Sequence, residues 1–338
     1  MERTNDSGEA PILRVGDLRV TFATDDGPAV AVDGLSFDLF PGETVGIVGE
    51  SGSGKSATAM ALLGLLPGTA TVTGSIAFGE QELLGAPERE LRAIRGNRIA
   101  MVFQDALAAL NPAHTVGRQL TEAIRVHDRA VPKAELRARA IELLETVGIP
   151  SARQRADQYP HEFSGGMRQR VMIAMSIAND PDVIIADEPT TALDVTVQAQ
   201  VLEVLRAVQE RTRAAVLLIT HDLGVVAGLA DRVLVMYAGG KVEEAAVEPL
   251  FALPSHPYTQ GLLQSLPRLD DDGDDGRLRY IPGRPPNPTA LPAGCRFLPR
   301  CPHALAGLCD SDPLPLATVG AGHVAACARI DAAREGWS

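Results

Sequence analysis

Gly49-Glu50-Ser51-Gly52-Ser53-Gly54-Lys55-Ser56 fits the phosphate-loop pattern GxxxxGK[ST] at each fixed position. Glycines let backbone N–H groups curl round an anion with no side chain in the way, and a helix that follows presents its positive end to the same phosphates. Lys55 is placed to reach the β- and γ-phosphates of a nucleoside triphosphate, and Ser56 to ligand Mg²⁺. Lysine occurs only at 55, 133 and 241 among 31 basic residues, so its presence in this slot is no by-product of composition. The competing interpretation is a Gly/Ser-rich linker, which would lack flanking strand and helix patterns. Both flanks are here: Thr44-Val45-Gly46-Ile47-Val48 reads as a short buried strand, and Ala57 to Leu66 is apolar, compact and able to start a helix.

A second chemical cluster follows the apolar run Val183-Ile184-Ile185-Ala186. Asp187 and Glu188 stand where that run meets a loop, the end at which open α/β sheets bind ligands. Asp187 is expected to hold Mg²⁺ through water and Glu188 to polarise the attacking water as general base. Taken alone, an apolar run ending in Asp-Glu is common. After a phosphate loop, it indicates a nucleoside triphosphatase.

The elements that must position these groups follow from periodicity. Leu13, Val15, Leu18, Val20 and Phe22, then Ala29 to Leu39 across a turn at Asp25-Asp26-Gly27-Pro28, read as antiparallel strands. Phe22 is a candidate to stack on an adenine ring, with an ordinary core aromatic as the equal alternative. Val72 to Phe78 and Ile99 to Phe103 read as further strands, the latter ending at Gln104. Leu107 to Asn179 turns helical, with Leu136, Ala140, Leu143, Leu144 and Val147 on one face and Gly148 and Pro150 to stop the helix. An amphipathic helix through Val197, Val201, Val204, Leu205 and Val208 precedes a strand from Ala215 to Thr220 that ends at His221. Val233 to Tyr237, Gly239-Gly240 and Lys241 to Glu243 suggest a hairpin. Strands alternating with helices imply an α/β protein with a mostly parallel sheet.

Composition limits what such a protein does. At 338 residues there is length for one large domain or two, and a net charge of −12 argues against general nucleic-acid binding, which needs basic surface. No apolar run approaches the roughly 20 residues needed to span a bilayer, and no signal-like segment follows the polar N-terminus, so a cytosolic chain is expected. Asp270 to Gly276 is an acidic run that reads as a solvated linker.

All four cysteines lie beyond it: Cys295, Cys301, Cys309 and Cys327, spaced C-x5-C-x7-C-x17-C. In a reducing compartment disulfides are a poor reading. Four thiols in one short, core-poor segment suggest Zn²⁺ or an iron-sulfur cluster, against buried free thiols acting as small hydrophobes. The spacing lacks the CxxC pairs typical of zinc ribbons.

Phe163-Ser164-Gly165-Gly166-Met167-Arg168-Gln169-Arg170 resembles the LSGGQ signature of ABC transporter ATPases. The order of phosphate loop, Gln104, signature, Asp187-Glu188, Ala192-Leu193-Asp194 and His221 is that family's order. Phe163 and Met167 depart from the Leu and Gln of the signature, and neither removes the Ser-Gly-Gly backbone donors. The resemblance covers Leu13 to about Ala246. It implies a P-loop NTPase with a RecA-like parallel sheet core, an antiparallel β subdomain, an α-helical subdomain and a small cysteine-containing C-terminal extension. In numbers, this is a flexible N-terminus at 1–11, a nucleotide-binding domain at 12–255 with its helical part near 107–180, and an extension at 256–338.

It further implies two ATPase subunits sandwiching two ATP molecules head to tail. Ser164, Gly165 and Gly166 would cap the γ-phosphate held by the other subunit, Gln104 would touch Mg²⁺ or the attacking water, Asp194 would cross the dimer interface and His221 would contact the γ-phosphate. SGGMRQRVMIAM resembles the dipeptide, oligopeptide and nickel permease branch, in particular the first of its two paired ATPases (the D-type subunit), and His256-Pro257-Tyr258-Thr259 and Gly283-Arg284-Pro285-Pro286 through Phe297 look like that branch's C-terminal extension. That branch carries a [4Fe-4S] cluster at the cysteines, which favours the cluster over zinc. Its members work at the cytoplasmic face of the membrane with a second, usually distinct ATPase, two transmembrane permeases and an extracytoplasmic solute-binding protein. The expected activity is ATP hydrolysis coupled to peptide uptake. Uptake of nickel or another solute is the near alternative, and a soluble ABC ATPase acting on nucleic acid or ribosomes the remote one.

Overall fold

A computed structural model describes residues 8–191, 193–266, 280–310 and 314–335. The acidic run 270–276, residues 1–7 of the N-terminal segment and Ala192 lie outside the described residues. Contacts divide the chain into two compact units, one of Met1–Leu13, Asp38–Thr44 and Gly85–Ile219, the other of Arg14–Phe37, Val45–Leu84 and Thr220–Ser338.

The first unit is built on three parallel strands, Ile99–Val102, Val183–Asp187 and Ala215–Thr220, in register from Ile99 opposite Val183 to Asp187 opposite Ile219. The second and third are buried along their whole length. Strands covered on both faces need unbroken apolar runs, which is what the sequence supplies. Helices Val116–His127, Lys133–Thr146 and Gly165–Ser176 pack on one another, with Ile124, Leu136 and Ala178 forming a small core of their own. The predicted face of Lys133–Thr146 is buried at Leu136, Ala140, Leu144 and Val147, while Leu143 is half-buried at its edge. Gly148 then takes a left-handed φ of 71° and ends the helix as expected.

The second unit holds a four-stranded sheet in the order Gly27–Leu39, Leu13–Thr24, Ala70–Phe78, Gln81–Glu82. Leu13, Val15, Leu18 and Val20 are all buried although the spacing between Val15 and Leu18 is odd. Simple alternation cannot bury both. Asp17 takes φ 45° and accommodates the extra residue, returning the side chains to one face. The next strand begins at Gly27, two residues before the expected Ala29, because Gly27 at φ 108° lets the chain turn within Asp25-Asp26.

Thr44–Val48 pairs in parallel with Arg232–Tyr237, which forms a hairpin with Gly240–Ala246. Its turn is Ala238-Gly239 rather than the expected Gly239-Gly240. A two-residue hairpin turn of this hand needs positive φ at both positions, and Ala238 accepts 46° beside 85° at Gly239. The C-terminal segment continues this sheet through His323–Ala325, antiparallel to the hairpin with Glu243 opposite Ala325, and then Ala317–Gly320.

Tyr237, Tyr258 and Phe297 meet at ring-centroid distances of 4.6, 5.2 and 5.5 Å inside a core that joins the hairpin to helix Pro257–Gln264. Beside them Glu243 is fully buried, accepting the N–H groups of Ser255 at 2.6 Å and His256 at 3.0 Å and pairing with His323 Nε2 at 2.7 Å. His256 Nδ1 in turn accepts the Tyr258 N–H at 3.1 Å and caps the helix. That bond needs an unprotonated Nδ1, and burial provides it by lowering the His256 pKa to about 4, against a smaller opposing pull from Glu243.

Candidate nucleotide site and cysteine pocket

In the second unit the phosphate loop leaves the buried strand at Val48 and enters helix Lys55–Leu62. Two of its glycines are obligatory for steric reasons. A Cβ on Gly49 would lie 2.2 Å from the Met236 carbonyl oxygen, and one on Gly54, at φ 101°, 2.2 Å from that of Ala31. No side chain fits either gap. Lys55 is almost wholly buried and its Nζ donates to the carbonyls of Gly49 at 2.8 Å and Glu50 at 3.0 Å, so the ammonium is curled over the loop. Ser53 Oγ is buried without a hydrogen-bond partner. An orphaned hydroxyl inside a loop of this kind fits a ligand that supplies oxygen atoms. Ser51, Gly52 and Ser56 face solvent. Phe22 is half-buried on its strand, and His221 is exposed just past Thr220, next to Asp222, whose carboxylate caps the following helix through the Gly224 N–H at 2.8 Å.

In the first unit Asp187 is buried at the end of its strand and Glu188 follows at φ 46°. A left-handed glutamate costs about 1–3 kcal/mol, and such strain concentrates at functional sites. It is held by the Glu188 N–H donating to Ile219 O at 2.8 Å. Glu188 Oε2 accepts from Gln104 Nε2 at 3.0 Å and from Thr191 Oγ1 at 2.7 Å, so the structure brings Gln104 and Glu188 together. Thr191 is a partner of Glu188 that the motifs alone do not single out. Its signal is a hydroxyl three residues after a strand-terminal acid.

The signature serine, Ser164, caps helix Gly165–Ser176 by accepting the Met167 N–H at 3.4 Å. Ser164 and Gly165 are exposed, which leaves the positive end of a twelve-residue helix open. Gly166 has a packing reason as well, because a Cβ there would lie 2.2 Å from Val197 Cγ1. Phe163, the departure from leucine, is buried under the Arg155 guanidinium, 5.5 Å from its ring centroid. Asp194 caps helix Val195–Thr212 through the Val197 N–H at 2.9 Å, and Val195 beside it is 83% exposed.

The four cysteines are free and line one pocket together with His256, Phe297 and His303. Cys295 N–H donates to Cys309 O at 2.9 Å. Burial raises the thiol pKa values of Cys295 and Cys301, and that of Cys327 to about 11, so without a bound cation these sulfurs stay protonated. The cavity between them is about 10 Å³, the size of one water. Among the described residues no group of three or more His, Cys, Asp or Glu side chains is arranged to hold a metal ion. The donor set is that of a soft metal and the four thiols line one pocket, but they do not form a metal-binding shell, so the geometry supports neither the zinc ion nor the iron-sulfur cluster expected from the sequence.

Known proteins match at both the sequence and the fold level. The family model described as ABC transporter matches residues 32–191, and the one described as the C-terminal region of the oligopeptide/dipeptide transporter matches 242–309. The oligopeptide transport ATP-binding protein OppD of Salmonella typhimurium is 52% identical over 316 residues, covering 94% of this chain and 93% of that one. The protein of the same name from Escherichia coli is 51% identical over 316 residues, covering 94% and 92%. That from Mycobacterium tuberculosis is 54% identical over 322 residues, covering 95% of this chain and 52% of the longer relative. Among solved structures, the ATP-binding cassette MJ0796, a dimer bound to ADP and Pi, superposes with a TM-score of 0.63 at 28% identity, over 70% of this chain and 98% of that one.

The class these define is the ABC ATPase, an enzyme that couples ATP hydrolysis to transport. The chain belongs to the ABC transporter family, in its oligopeptide and dipeptide transporter branch. No helix among the described residues is long and apolar enough to cross a membrane.

Proposed function

We propose that this chain is the ATP-hydrolysing subunit of an importer for oligopeptides or dipeptides. It works at the cytoplasmic face of the membrane with a second, distinct ATPase, two permeases and a solute-binding protein. The observation that carries this reading is the match of 242–309 to the peptide-transporter C-terminal region, because that stretch lies beyond residues 32–191, which match the general ABC transporter family.

In this reading Gly49 to Ser56 wrap the triphosphate, with Lys55 on its outer phosphates and Phe22 against the adenine. Ser56, Gln104 and Asp187 hold Mg²⁺, which neutralises phosphate charge. Glu188 takes the proton of the attacking water, and Gln104 and Thr191 keep its carboxylate oriented. His221 steadies the γ-phosphate. Ser164, Gly165 and Gly166 serve the nucleotide of the neighbouring subunit, and Asp194 meets that subunit. Nucleotide drives closure of the pair only as far as it binds the closed state more tightly than the open one.

Affinity purification of the tagged chain from detergent-solubilised membranes should bring down two permeases and a second ATPase. Recovery with ribosomes or nucleic acid instead would replace the importer with a soluble factor. For the cysteines the reading is an iron-sulfur cluster, with Zn²⁺ as the alternative, and what supports it is that four thiols line one pocket. Protein purified without oxygen should carry iron and acid-labile sulfide in equal amounts, whereas zinc alone, or a metal-free folded C-terminal segment, ends the assignment.

A further inference from the structure

Glu50, the second residue of the phosphate loop, is engaged at three points. Its N–H donates to Tyr258 Oη at 2.8 Å, its carboxylate receives Arg300 Nη1 at 2.9 Å and Nη2 at 3.0 Å, and its carbonyl receives Lys55 Nζ at 3.0 Å. Two of the three partners come from the C-terminal segment. Arg300 is buried and held in its turn, with Nε donating to Pro282 O at 2.9 Å, Nη2 to Ile281 O at 3.2 Å and Nη1 to Tyr237 Oη at 3.2 Å. Its guanidinium lies 5.7 and 5.8 Å from the ring centroids of Tyr237 and Phe297. A two-pronged pair of this kind fixes direction as well as distance, and burial removes the water that would loosen it.

The same segment runs beside the loop. Val30 N–H donates to Pro288 O at 3.0 Å, and Pro285, Pro286 and Pro288 share with Glu50, Ser51 and Ser53 a cavity of about 30 Å³, room for little more than a water. Arg300 also ends the short turn Leu298–Arg300, which lies between two of the pocket cysteines, Cys295 and Cys301.

We infer that Arg300 is a positioning residue for ATP binding: acting through Glu50, it sets the backbone of the phosphate loop and the seat of Lys55. The C-terminal segment thereby governs the affinity of the loop for the triphosphate. A loop with glycines at 49, 52 and 54 loses much backbone freedom on closing round an anion. Pinning Glu50 in advance removes part of that cost, which is how preorganisation raises affinity without touching the ligand. The inference rests on the ATPase reading of the loop.

The test uses the full-length subunit with three readouts: ATP titration, amide exchange across Gly49–Ser56, and the thermal midpoint without nucleotide. Arg300→Gln should raise the ATP Kd about tenfold and speed exchange in the loop, and Arg300→Lys, which keeps charge but not the fork, should fall between. Glu50→Gln should weaken binding to the same degree, and the double variant should be little worse than either single one, since both remove one interaction. Tyr258→Phe deletes a single oxygen from a packed ring and should raise Kd several-fold, which keeps the test open if Arg300→Gln does not fold. A purely structural role would shift the thermal midpoint and leave Kd and loop exchange at wild-type values. That result, or additive effects in the double variant, overturns the inference. Failure of the unaltered chain to bind ATP overturns the ATPase reading and this inference together, whereas binding that is indifferent to Arg300 and Tyr258 overturns this inference alone.

Discussion

Glu188→Gln should leave ATP binding at its wild-type strength and cut hydrolysis by about 10²- to 10⁴-fold, the range lost when a positioned general base is removed. The substitution exchanges one oxygen for an NH₂ group and keeps the shape, so the contacts of Oε2 with Gln104 at 3.0 Å and Thr191 at 2.7 Å can be re-made with the amide. What is lost is basicity. The backbone supports a specific role, because Glu188 sits at φ 46° at the end of a fully buried strand, a conformation a surface side chain has no reason to pay for. Steady-state turnover in the assembled complex, paired with ATP titration, separates the two effects. Unchanged turnover would remove Glu188 from the chemistry, and lost binding would recast it as a ligand for nucleotide or Mg²⁺.

Lys55→Ala should weaken ATP binding by one to two orders of magnitude. A hydrogen bond to a charged group is worth about 1.5–3 kcal/mol, and an ammonium among phosphates makes at least one such bond. In the structure the Lys55 ammonium is already desolvated and held by the Gly49 and Glu50 carbonyls at 2.8 and 3.0 Å, so little reorganisation is needed when a phosphate arrives. The same contacts mean that alanine also strips two carbonyls of their donor and loosens the loop. Lys55→Met keeps most of the volume while losing the ammonium, so a loss common to both variants belongs to the ammonium and one confined to alanine belongs to packing. Both variants should show the loss in direct titration, together with a lowered thermal midpoint, because two loop carbonyls lose their donor. Wild-type affinity in both would deny Lys55 any part in phosphate binding.

Legibility in the sequence followed the range of the physics involved. The phosphate loop could be read because its chemistry lies in eight consecutive residues, with glycines where a Cβ meets a carbonyl oxygen at 2.2 Å. The buried strands could be read because a strand covered on both faces leaves no polar position. Details that depend on a single φ could not. The inward placement of both Val15 and Leu18 needed Asp17 at 45°, and the hairpin turn fell on Ala238-Gly239 because alanine accepted a conformation that composition assigned to glycine.

Long-range pairs were invisible for a different reason. Gln104 and Glu188 are 84 residues apart and Glu50 and Arg300 are 250 apart, and no local pattern encodes a hydrogen bond between them. By itself, then, the order of residues determined the class of chemistry: a triphosphate loop, a strand-terminal acid pair and a helix start rich in glycine, each a matter of neighbouring backbone donors and short spacings. Only the tertiary structure decided which side chains hold those groups in place, that four scattered thiols share one pocket, and that an arginine from the C-terminal segment grips the loop. Those arrangements depend on burial, and burial is settled when distant stretches exclude water from one another.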